Sequence, residues 1–233
     1  MSKKDESRPN PFASPSWVAS SIFVGGLVVL GVVVSIGVAQ KDSSHSDAVG
    51  NAGSVVVACS QGSPGMEISN LREAEWEAIG TVYAPSLAGA GPALVEPDGF
   101  RRCFARSEAG AVVAAATYVA IGSGRPDLSR RLASDATFAG PGRDAAMAQA
   151  DASTNGSNAA LQIVAYQVAR YSTNDAEVRI AVRSADGRLV VGSVPLRWAD
   201  GDWKLVVDPS TGRYVDLADI PNVAGMTPWG VNQ

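Results

Sequence analysis

The sequence predicts an α+β domain carried behind a single membrane-spanning helix, and three observations predict it. The run from Trp17 to Ala39 contains no charged residue. Between Ser107 and Asp151 the apolar residues fall in helical stretches broken by glycine and proline, whereas from Leu161 onward they alternate with polar ones. A chain of 233 residues, 46% hydrophobic and 18% charged, has room for such a segment and one compact domain. Helices followed by a run of strands imply helices laid on one face of an antiparallel sheet.

Residues 1–16 form a short tail with Lys3, Lys4 and Arg8. Residues 17–39 reach across a hydrocarbon core of roughly 30 Å as a helix, the one conformation that pairs its own backbone in lipid. The basic tail places residues 1–16 in the cytoplasm and everything after 40 outside, as a single-pass protein of the cell membrane. Gly37-Val38-Ala39 could pass for a cleavage site, but the apolar run exceeds a signal-peptide core of about 7–15 residues. Residues 40–53, with His45, read as a Ser/Gly-rich linker.

Residues 54–100 read as an irregular segment with a short strand ending at Cys59 and a short helix from Leu71 to Ile79. The main domain spans residues 101–210. Ser107 caps a helix of Glu108–Ile121, buried on all sides and stopped by Gly122. Pro126 opens a second helix to Ser134, and Gly140-Pro141-Gly142 separates it from a third, Arg143–Asp151. A loop with the sequon Asn155-Gly156-Ser157 follows. Four strands then make a meander: Leu161–Tyr171, Ala176–Arg183, residues 188–198 after the Asp186-Gly187 turn, and Trp203–Val207 after the Asp200-Gly201 turn. Residues 211–233 are a C-terminal tail in which Tyr214, Leu217, Ile220 and Trp229 predict partial docking.

Composition narrows the chemistry. A net charge of −4 with pI near 5.0 opposes direct binding of nucleic acid, whose phosphates demand concentrated positive charge. One histidine and two cysteines leave little for a metal centre or a His-based catalytic group, and no cofactor is expected. Asp127, Asp135 and Asp144 lie at predicted helix ends, where capping accounts for them. Outside the cytoplasm Cys59 and Cys103 would meet oxidising conditions, so a bridge between them is expected, two free buried thiols being the alternative. Arg101, Arg102 and Arg106 cluster before the first helix and Arg125, Arg130 and Arg131 after it. They are candidate partner contacts, against the ordinary reading of a solvated face.

The segment Ser107–Ala116 and the ending Leu196-Arg-Trp-Ala-Asp-Gly-Asp-Trp-Lys-Leu205 resemble the nuclear-transport-factor-2-like cone, in which a bent sheet wraps a long helix. With an N-terminal anchor, the arrangement is similar to TcpC-like membrane components of actinobacterial conjugation and type IV secretion systems. The stretch from Trp76 to Ser86 resembles the same group. The resemblance implies a four-stranded cone with about three helices. It also implies a non-catalytic part that self-associates and contacts other membrane components of a conjugative complex. A lipid-importer accessory of the Mce-associated type, or a ligand-binding sensor, is the alternative.

Overall fold

The computed structural model describes residues 59, 67–152 and 160–231, all within a compact unit running from Ser54 to Gln233. The spanning segment 17–39, the linker with His45, the strand expected before Cys59 and the Asn155 sequon lie outside the described residues. Among the described residues no helix is long and apolar enough to cross a membrane.

A 3₁₀ turn, Ile68–Glu73, leads into a hairpin of β1 (Glu75–Ile79) and β2 (Val82–Ser86). The short helix expected from Leu71 to Ile79 is therefore a turn and a strand. The residues after Ala74 alternate Glu75, Trp76, Glu77, Ala78, Ile79, a period of two that fits a pleat and no helix. Gly80 supplies the positive φ of 61° that the tight turn needs, and a Cβ there would strike the Gly124 carbonyl at 1.9 Å. The hairpin tip thus presses against the end of the central helix. A second, smaller ladder joins β3 (Leu94–Val95) to β4 (Arg101–Arg102).

Helix α1 runs Glu108–Gly124, and the Ser107 hydroxyl accepts the Gly110 N–H at 3.1 Å to cap it. It is apolar all round because it is covered all round: three long strands of the main sheet, β5 (Leu161–Tyr171), β6 (Asp175–Ser184) and β7 (Leu189–Ala199), β2 of the hairpin and the second helix all pack on it. Val112, Val113, Tyr118 and Ile121 are fully buried. Each such side chain adds about 1.5–3 kcal/mol relative to exposure. A 3₁₀ turn, Pro126–Leu128, then precedes α2 (Ser129–Asp135), and α3 (Pro141–Ala152) packs on α2.

The main sheet is antiparallel, in the order β10 (Thr227–Pro228), β5 (Leu161–Tyr171), β6 (Asp175–Ser184), β7 (Leu189–Ala199), β8 (Asp202–Leu205), with β9 (Asp216–Asp219) also pairing β7. Irregularities in β5 at Ile163/Ala165 and Val168/Arg170 bend the sheet. This corrects the expected fold class. The sheet has six strands rather than four, and with its flanking hairpins it is a sheet-rich α+β domain, not the four-stranded cone that was expected. The difference lies mostly in the C-terminal residues. The chain after β8 returns to the sheet twice, pairing Asp216–Asp219 with Ser193–Val190 and Thr227–Pro228 with Tyr166–Ala165. Trp229 fills a pocket in the core, with its indole N–H donating to the Leu71 carbonyl at 2.7 Å and its ring edge-on to Trp76 and Tyr166.

Candidate functional site

The best-built constellation lies where the chain from the N-terminal side enters the domain. Cys59 and Cys103 form a disulfide. Cys103 sits in a left-handed conformation (φ 67°), uncommon for a residue with a side chain, so its surroundings must hold it there. They do so through Asp202. One carboxylate oxygen accepts the Cys103 N–H at 2.8 Å, while the other accepts the N–H groups of Phe104 (2.9 Å) and Trp203 (3.0 Å). The Trp203 indole donates to the Ala105 carbonyl at 2.8 Å, and the Ala105 N–H to Ala90 at 2.9 Å. From the helix side, the Tyr118 hydroxyl donates to the Trp203 carbonyl at 2.8 Å. The bridge is therefore bolted to β8 and α1, the least exposed part of the domain.

Asp202 is 2% exposed. Burial pushes its pKa up, and the three N–H donors offset only part of that. Asp202→Asn should test the clamp. The amide oxygen can still serve Phe104 and Trp203, but the amide NH2 then faces the Cys103 N–H, donor against donor, in a buried site. We expect a loss of about 1–3 kcal/mol in urea unfolding.

A set of arginines and carboxylates forms a charged belt on the domain, and all six candidate arginines take part in contacts within the chain. Arg101, on β4 and 6% exposed, pairs with Glu77 at 2.7 Å. Arg102 pairs with Glu96 at 2.6 Å. Arg106 donates to the Thr173 carbonyl at 2.9 Å and to Asn174, and lies over the Trp198 ring. Arg125 holds Asp127 at 2.6 Å and donates to the Asp98 carbonyl, and Arg130 pairs with Asp151. Arg131 is the hub. It reaches Glu96 (2.7 Å), Asp98 (2.6 Å) and Asp135 (2.9 Å), and its guanidinium covers the Phe100 ring at 4.5 Å. Arg102, Arg125 and Arg131 thus converge on the β3–β4 loop, whereas Arg101, Arg106 and Arg130 brace separate places.

The belt has a pH signature. The Phe100 N–H and Arg131 hold the Asp98 carboxyl below its usual value, and Arg125 does the same for Asp127. At Asp135 burial pushes upward, but Ser134 and Arg131 outweigh it. A carboxyl whose pKa is lower in the folded state lends stability that is present above its unfolded value near 3.8 and is lost as pH falls through the folded value. Asp202, raised, works in the opposite sense. Asp98→Asn should remove its share of the acid loss, so the urea midpoint of the variant should fall less steeply than that of the wild type between pH 5 and 3.

A cavity of about 360 Å³ lies on another side, between α1, α2, α3 and the arm that follows β8. Sequence reasoning assigned it nothing, and it also passed over Asp202, Glu96 and Asp98. Asp202 was legible only as the flank of a turn, although a buried Asp beside Trp in a hairpin is a cue. Pro97-Asp98-Gly99 is a turn signal whose acid faces arginines distant in sequence.

The fold and the clamp define a disulfide-fastened, sheet-rich α+β domain with a charged belt. The chain belongs to the family described as "Domain of unknown function (DUF8175)", which matches residues 39–228. No curated protein and no solved structure matches it.

Proposed function

We propose that the chain is a non-catalytic, single-pass membrane protein that serves as an assembly component of a conjugative, type IV secretion-like transfer apparatus, with the folded domain displayed outside the cytoplasm. The observation that carries this reading is the Cys59–Cys103 bridge. A disulfide persists in an oxidising compartment, which is where the uncharged run 17–39 and the basic tail would deliver the domain. Its position also suits a load-bearing part. Tension arriving through residue 59 reaches Cys103, Asp202 and strand β8, which the Tyr118 hydroxyl ties to the central helix, instead of peeling away the outer hairpin. With the arginines paired inside the chain, contacts with other envelope proteins or with further copies of this chain would fall on exposed apolar residues such as Tyr83, Val95 and Leu217.

The test is an in-frame deletion in the natural host, scored by the frequency with which the mobile element passes to a recipient. Transfer should fall by orders of magnitude and recover when the wild-type gene is supplied. Unchanged transfer would remove the reading.

A further inference from the structure

We propose that the cavity between the three helices and the post-β8 arm binds a small amphipathic organic anion, a monocarboxylate with an apolar body, whose head group is met by Arg213 and the Tyr214 hydroxyl. The inference goes beyond the assembly role and does not depend on it.

The arm is built to form a wall. After β8 the chain makes a tight turn in which the Gly212 N–H donates to the Asp208 carbonyl at 2.8 Å and the Asp208 side chain accepts the Ser210 N–H at 2.8 Å. Gly212 (φ 68°) then lies so close to α3 that a Cβ would come within 2.9 Å of the Ala145 carbonyl. The arm next crosses toward the sheet, where Val215 fills the space over Gly192, a Cβ there lying 2.3 Å from a Val215 methyl. Both ends of the wall are thereby fixed, one on a helix and one on a strand. What they leave between them is about 360 Å³, within the range of about 300–1,000 Å³ that small-molecule sites occupy.

The lining supplies an apolar body site and two donors. Leu132 and Ala133 of α2, Ala150 of α3 and Val215 give the apolar walls. Tyr214 enters over Gly122, whose missing side chain makes the room: a Cβ there would stand 1.8 Å from the Tyr214 oxygen. Apolar surroundings push the Tyr214 pKa up to about 12, so the group stays a phenol and a donor at any physiological pH. Its hydroxyl makes no hydrogen bond with the described residues, whereas that of the fully buried Tyr118 is satisfied. Arg213 borders the same space, exposed, and forms no ion pair among the described residues, unlike Arg102, Arg125 and Arg131 of the belt. A cation at the rim and a neutral donor inside select an anionic head with hydrogen-bond acceptors; the walls select an uncharged remainder.

The probes are 4-phenylbutanoate and its uncharged counterpart 4-phenylbutan-1-ol, titrated into the purified full chain held in lipid nanodiscs, with the methyl resonances of Leu132 and Val215 as readout. The acid should shift both methyls and bind more tightly than the alcohol. Arg213→Gln should weaken the acid roughly tenfold and leave the alcohol unaffected, as loss of a charged hydrogen bond implies. Tyr214→Phe should weaken both several-fold, and Ala150→Phe, which fills the cavity, should abolish both. Arg213→Gln changes an exposed side chain and Tyr214→Phe keeps the ring that packs on the core, so they keep the test decisive even if Ala150→Phe fails to fold. Unmoved methyls with either probe would overturn the proposal. So would an Arg213→Gln effect that is absent or equal for acid and alcohol.

Discussion

Truncating Trp203 to alanine is expected to lower the unfolding free energy of the domain by about 3–5 kcal/mol, the range for deleting a large aromatic from a well-packed core. Trp203 is fully buried on β8 and stacks edge-on with Trp198, ring centroids 5.4 Å apart. Its indole N–H also donates to the Ala105 carbonyl, which the Ser107 N–H shares at 2.8 Å, so truncation removes one of two donors there as well as opening a cavity. Because the same side chain locks the segment carrying Cys103, the loss should be accompanied by faster reduction of the disulfide. Urea unfolding of Trp203→Ala and Trp203→Phe separates the two contributions. Phenylalanine keeps much of the packing and loses the hydrogen bond, so it should recover about half of the deficit.

Removing the bridge by Cys103→Ser is expected to cost a similar amount, on the order of 4 kcal/mol, since the bridge closes a loop with a sequence separation of 44. The loss should be matched by adding reductant to the wild type, and Cys103→Ser should then respond no further. Serine at 103 keeps the backbone N–H that Asp202 accepts, so the left-handed turn stays formed and the loss reports the covalent link. A midpoint indifferent to reductant in the wild type would mean that the bridge adds nothing to the fold.

These two residues also mark how far the sequence could be read. Helix α1 was legible because Ser107, the apolar run and Gly122 agree on its ends, and the long strands because two Asp-Gly turns punctuate a period of two. The edges of the sheet were not legible. Strand β9 offers only Asp-Leu-Ala-Asp and β10 only Thr-Pro, too short for any periodicity, and a proline reads as a break rather than as an edge residue. Trp229 was visible as a docking residue, but nothing local says that its partners are Trp76 and Tyr166. The charged belt failed for the same reason. Local spacing shows the Arg131–Asp135 pair, four apart on a helix, but not Glu96 and Asp98, which arrive from a turn more than thirty residues earlier. The arginines therefore read as free surface when their charge is spent inside the chain. Gly122 read as a helix stop, yet α1 continues to Gly124, and the absent side chain instead makes room for Tyr214.

The most direct measurement of the account is mass spectrometry of the protein taken from its own cells, alkylated before any reductant is added and then digested. A peptide containing Cys59 is expected joined to one containing Cys103, from protein recovered in the membrane fraction, the two separating only after reduction. Two singly alkylated cysteines in an unlinked, freely soluble chain would contradict it.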